Sequence, residues 1–186
     1  MTEVAVLFAP GFEEIEAMTI VDVLRRAELN VHMISIDEKE VPGAHGVRII
    51  VDDTFDALAD KDFDALVLPG GAPGFINLRN HEGVLSYVKT MFDSGKLVAA
   101  ICASPAVLAD AGILKGKSCT IYPGLEQEVI KGGGQIKEDL VVVDGTVITS
   151  RGPATSFPFA LQLVETLVGP SKADEVKKQT LTPLVF

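Results

Sequence analysis

The chain is short of positive charge, cysteine, histidine and long apolar runs, and each shortage excludes a class of function. Its 186 residues carry 16 Lys and Arg against 26 Asp and Glu, a formal net charge of -10 at pH 7. Phosphate backbones and anionic lipid surfaces are bound through basic patches, so neither nucleic acid nor a membrane is an expected partner. No apolar run approaches the ~18 residues of a transmembrane helix. The opening "MTEVAVLFAPGFEE" has no basic region before its apolar stretch, so it reads as a first strand rather than a signal peptide. Two cysteines, Cys102 and Cys119, lie in apolar segments without paired spacing, which points to a reducing compartment, the cytoplasm by default. The three histidines fall in a strand-like run (His32), a polar turn (His45) and a helix start (His81). No two have metal-ligand spacing, so neither a metal nor another cofactor is expected.

What is present is an alternation of strand and helix patterns. With 47% hydrophobic residues the chain is expected to form one globular domain over 1–186. "VAVLFA" (4–9), "NVHMISI" (30–36), a short run around "VRIIV" (47–51), "DALVLP" (64–69) and "LVAAI" (97–101) read as strands. Residues 13–29, a segment near 81–93 and "FPFALQLVETLVG" (157–169) read as helices, the last with Pro158 in its first turn. Asp144-Gly145 between two β-rich runs signals a hairpin, and "KGGGQ" (131–135) reads as a loop. Strands alternating with helices predict an α/β fold with a mostly parallel sheet covered on both faces.

In such sheets ligands bind beyond the carboxyl ends of the strands. Three loops qualify: "APGFEEIE" after the first strand, "PGGAPG" after Leu68, and "CASP" after "LVAAI". A lone cysteine in an apolar run is ordinarily a small buried hydrophobe, which is the reading for Cys119. Cys102 differs because a strand, a turn and a helix start meet there, as in a nucleophile elbow. Helix amides aimed at the sulfur would lower its pKa from about 8.5 towards neutrality. The amides of Gly71, in the Gly70-Gly71 pair, and of Ala103 could then form an oxyanion hole. Glu13 and Glu14 suit a helix start. Glu16 shares a flank with Ile20, Val23 and Leu24, so burial would raise its pKa and fit it to move a proton. Spacing alone leaves Glu13 open for the same role. The dinucleotide glycine fingerprint is absent from these loops, and three carboxylates at one helix end oppose phosphate binding.

Four motifs in order, "PGFEEIEAMTIVDVLRRA", "LPGGAPG", "AAICASPAVLADAGIL" and "TSRGPATSFPFALQLVE", span nearly the whole chain and resemble the ThiJ/PfpI superfamily, in its Parkinsonism-associated deglycase branch. The resemblance implies a flavodoxin-like three-layer sandwich with a nucleophile elbow, and a homodimer. It places the reactive cysteine at Cys102, the acid that hydrogen-bonds it at Glu16, and the facing amides at Gly71 and Ala103. Gly70, Arg26, Arg151 and, by a looser match, His45 fall at positions near the pocket or dimer contact. Tyr122 stands where many relatives have histidine. Ala103 stands where the protease-type branch requires histidine directly after the cysteine, so peptidase activity is not expected.

The expected function is a cysteine-dependent deglycase or glutathione-independent glyoxalase, acting on α-oxoaldehydes such as methylglyoxal and their early adducts, so that its partners are small carbonyl compounds or glycated groups. The alternative is an oxidative-stress sensor or redox-regulated chaperone using the same oxidisable Cys102.

Overall fold

The computed structural model describes residues 2–59 and 61–184. In chain order the elements begin β1 (Glu3–Phe8), α1 (Glu14–Arg26), β2 (Asn30–Ser35), β3 (Glu40–Pro42), β4 (Arg48–Ile50), β5 (Asp53–Thr54), β6 (Ala65–Leu68), α2 (Gly74–Asn80) and α3 (Glu82–Asp93). They continue with β7 (Leu97–Ile101), α4 (Pro105–Asp110), β8 (Ser118–Cys119), α5 (Glu126–Lys131), β9 (Gln135–Ile136), β10 (Val141–Asp144), β11 (Val147–Ser150), α6 (Ser156–Val168) and α7 (Pro170–Gln179).

The main sheet runs β10-β11-β7-β6-β1-β2-β5, and only β10 is antiparallel to its neighbour. Its central strands are buried on both faces, which explains their unbroken apolar runs. Alternation along β1 sends Val4, Val6 and Phe8 into the core shared with α1 and α6, and Ala5 and Leu7 into the core beneath α3 and α4. β1 pairs with both β2 and β6, so the chain reverses its direction of travel across the sheet at β1/β6. That reversal opens a crevice at the carboxyl ends, and the loops after β1, β6 and β7 meet in it.

Several boundaries differ from the sequence reading. Apolar spacing continued to Leu29, but α1 ends at Arg26: Glu28 turns left-handed (φ 62°), while its amide and that of Leu29 bond back to Arg25 and Leu24. This is a Schellman closure with Glu28 where glycine usually sits, and Leu29 stays buried as its apolar contact. The run around "VRIIV" supplies β4, which pairs with β3 in a separate hairpin; β5 edges the main sheet instead. In the second hairpin Asp144 pairs with Val147, so Gly145 and Thr146 make the turn, with Gly145 at φ 64°. Asp144 is free to bind Lys117 and the Ser118 amide. "KGGGQ" ends in β9, where a Cβ on Gly134 would lie 2.8 Å from the buried Cys119 sulfur. No helix among the described residues is long and apolar enough to cross a membrane.

Candidate active site

Cys102 follows β7 directly and adopts φ 63°, the left-handed region. For a residue with a Cβ that conformation costs about 1–2 kcal/mol, and it persists because neighbours hold it. The Cys102 amide donates to the Ser150 carbonyl at the end of β11 (3.1 Å), and the Cys102 carbonyl accepts from the Tyr122 amide (2.8 Å). Ser150 is itself fixed by Oγ contacts to the Leu140 carbonyl and to Thr155 Oγ1, each 2.7 Å. Pro105 then starts α4, its fixed φ suiting a first helical position. Ser104, fully buried, does not cap that helix. Its Oγ donates to the Pro69 carbonyl at 2.6 Å, clamping the elbow to the Gly70 loop.

Glu16 comes to the same point from the first turn of α1. Its side chain is 0% exposed, and Oε2 accepts the Gly70 amide at 2.7 Å. Oε1 has no partner of ordinary hydrogen-bond geometry, while the Cys102 thiol lies close enough to interact with the carboxyl. Glu13 is placed differently: its Oε2 accepts the Glu16 amide at 2.7 Å, so it caps α1 rather than meeting the sulfur. Gly70 is confined by the Cys102 and Glu16 side chains. A Cβ there would lie 2.6 Å from Cys102 Cβ and 2.8 Å from Glu16 Oε2. Gly71 sits at φ 101° against the backbone of Gly11, Phe12 and Glu13, which closes the β1 and β6 loops onto one another.

Burial raises the Glu16 carboxyl to about 7, with the Gly70 amide and the Cys102 thiol opposing it and the Glu13 charge adding to it. The thiol moves opposite to expectation. Burial first, then the charge and hydrogen bond of Glu16, push Cys102 up to about 12, against the Ala103 and Gly71 amides. Those two amides face the sulfur, one from the turn before α4 and one from the loop after β6, but two donors do not outweigh desolvation beside a carboxylate. Near neutral pH Glu16 is therefore the member of the pair that gains and loses a proton, while the sulfur keeps its own.

A cavity of about 350 Å³ opens beside the sulfur, walled by Phe75, Tyr122, Pro123 and Leu125 and floored by Gly71 and Ala103. A buried acid thus lies against a cysteine on a strained elbow. The sequence model of the DJ-1/PfpI family matches residues 2–166. The chain belongs to the DJ-1/PfpI family. The crystal structure of Drosophila melanogaster DJ-1beta superposes with a TM-score of 0.93 at 38% identity, covering 97% of each chain. Two relatives carry activity names. Deglycase PH1704 of Pyrococcus horikoshii is 37% identical over 166 residues, 89% of this chain and 99% of its own length. Glutathione-independent glyoxalase DJR-1.2 of Caenorhabditis elegans is 39% identical over 166 residues, 89% of this chain and 88% of its own length.

Not every candidate in this DJ-1/PfpI chain reaches the cavity. Arg26 lies ten residues beyond Glu16 on α1, about 15 Å along the axis, where it pairs with Asp22 at 2.7 Å. Arg151 follows β11 and donates to the Glu138 carbonyl (2.9 Å); its neighbour Gly152 lies under the Tyr122 ring, with room for a Cβ only at 3.3 Å. The His45 side chain is 72% exposed, and its Nδ1 meets Glu14 at 2.9 Å, which raises its pKa. Glu14 also accepts the amides of His45 and Val47, tying the β3–β4 turn to α1. Glu13, Glu14 and His45 can each offer one ligand atom within 4.8 Å of the others. The remaining oxygens are committed to the α1 cap and that turn, so the group reads as an ion-pair cluster.

Ser104, Ser150 and Thr155 were not anticipated as supports of the elbow. Ser-Pro before a helix is a helix-start signature, and it marks Ser104 without revealing Pro69 as its partner. Phe75 and Leu125 carry no sequence signal that separates a cavity wall from core, because each also packs against the core.

Proposed function

We propose that this chain is a glutathione-independent glyoxalase and deglycase, with Cys102 as nucleophile and Glu16 as the proton carrier. The observation that carries the proposal is a buried carboxyl poised near pH 7 against the thiol of a strained elbow. Ionised Glu16 takes the thiol proton as sulfur adds to the aldehyde carbon, giving a hemithioacetal whose developing oxyanion faces the Gly71 and Ala103 amides. Glu16 returns that proton to the oxyanion, which makes the neutral hemithioacetal and leaves the carboxylate free; it then takes the proton of the former aldehyde carbon and delivers it to the adjacent ketone carbon through an enediol. The first carbon is oxidised as the second is reduced, leaving a thioester of a 2-hydroxy acid. Water hydrolyses the thioester, releases the acid and restores the thiol. An early adduct on an amine follows the same course, with the amine leaving.

The reactive form has the proton on sulfur and Glu16 ionised. Activity therefore rises as pH passes upward through about 7 and holds above it, because the thiol loses its proton only near 12. The test is lactate formation from methylglyoxal without glutathione, in amine-free buffer from pH 5.5 to 9. Wild-type protein is expected to follow that profile and Cys102→Ala to match buffer alone. Equal rates for the two proteins reject the proposal. A low-pKa, readily oxidised thiol was the basis of the stress-sensor alternative, and the upward shift of Cys102 weighs against it.

We also propose a homodimer and a cytoplasmic setting. Ile15 on the first turn of α1 is 59% exposed, and Val47 and Ile50, around the hairpin that Glu14 ties to it, are 50% and 75% exposed. A second copy would cover them. Sedimentation should give twice the 19.7 kDa chain mass, and Ile50→Asp should return it towards the monomer. A monomeric wild type rejects the pairing. Both cysteines are free, which suits a reducing compartment.

A further inference from the structure

We infer that the cavity beside Cys102 selects uncharged oxoaldehydes bearing an apolar, ring-sized substituent, an inference that rests on the glyoxalase reading above. At about 350 Å³ the cavity has room for about a dozen waters, taking roughly 30 Å³ for each. Methylglyoxal, with five heavy atoms, leaves much of that space to water. The wall gives such water little to bond to: Phe75, Pro123 and Leu125 offer no side-chain donor or acceptor, and the Tyr122 hydroxyl is the polar side-chain group besides the thiol. Phe75 and Leu125 are partly buried and pack against the core, so the wall is preformed rather than assembled by the ligand. A ring on the ketone carbon would displace that poorly held water and lie against Phe75 and Leu125 while the aldehyde carbon meets the sulfur.

Charge decides the other half of the selection. No lysine, arginine or histidine lines the cavity among the described residues. Arg151 does not line the cavity and donates one guanidinium N–H to the Glu138 carbonyl, and the buried Glu16 lies beside the sulfur. A carboxylate on the substrate would lose its hydration there with no cation to replace it. Glyoxylate-like acids are therefore excluded.

Two measurements on the wild-type protein test this. In NMR titrations with unreactive ketones, acetophenone should bind at least tenfold more tightly than acetone, with shifts centred on residues 71–75 and 122–125, and pyruvate should not bind. In turnover, kcat/KM for phenylglyoxal should exceed that for methylglyoxal by at least tenfold, and Phe75→Ala should narrow that ratio. Acetophenone binding within twofold of acetone, or pyruvate binding best, overturns the inference even if methylglyoxal is consumed. Tight acetophenone binding with no turnover of either aldehyde leaves the cavity preference standing and rejects the glyoxalase reading instead.

Discussion

Glu16→Gln should make the protein more stable at alkaline pH and nearly inactive. The carboxyl is buried and its pKa is raised, so the folded chain holds this proton more tightly than the unfolded chain does. The stabilisation linked to that proton is complete below the ordinary value of 4.5 and is lost as pH rises through about 7. The interval between the two values corresponds to about 3 kcal/mol of destabilisation of the wild type above pH 8. Glutamine keeps the shape and can still accept the Gly70 amide, but it never acquires the charge. At pH 8.5 the variant should therefore melt about 6–12 °C above wild type, and the difference should vanish near pH 4. Calorimetry at the two pH values checks this, and a difference that does not change with pH counts against a charged, buried Glu16. Turnover should fall by about 10²–10⁴, the usual contribution of a positioned proton carrier.

Gly71→Ala has the largest expected structural effect. Alanine at φ 101° is strained by about 1–3 kcal/mol. Its Cβ would also press on the backbone of Gly11, Phe12 and Glu13, which cannot yield as a flexible side chain would. Overpacking of this kind adds about 1–3 kcal/mol. The total, about 2–6 kcal/mol, is a large part of the 5–15 kcal/mol that holds a typical domain folded. Denaturant unfolding should show a midpoint lowered accordingly, with the residue-71 amide shifted from its place facing the sulfur and the Ala103 amide left as the remaining donor in whatever fraction stays folded. A change below about 0.5 kcal/mol, the size of an ordinary surface substitution, would mean the two loops are not pressed together.

The architecture was legible because the parallel strands are covered on both sides: "VAVLFA", "ALVL" and "LVAAI" have few alternatives to a central position in an α/β sheet. That Cys102 lies at a strand-to-helix elbow was legible for a related reason, whereas spacing left both Glu13 and Glu16 as candidates beside it, and the family resemblance separated them. What the pattern hid is set by contacts between distant segments. The direction of the Cys102 shift depends on how completely α1 and β7 bury the sulfur beside Glu16, and no local spacing encodes that. Arg26 matched a position in a motif, yet the rise of α1 carries it away from the cavity of its own chain. The left-handed Glu28 ended a helix that apolar spacing would have continued. Ser104 found its partner 35 residues away in Pro69.

The left-handed backbone of Cys102 also bears on descent. A glycine there would relax the elbow, which offsets part of the packing lost with the buried sulfur. Copies that drift to inactivity would still accumulate as sound, well-folded proteins. On the role proposed above for Cys102, only continued demand for the chemistry would keep cysteine at this position against drift, which makes residue 102, rather than overall likeness, the thing to inspect when deciding whether a relative still works.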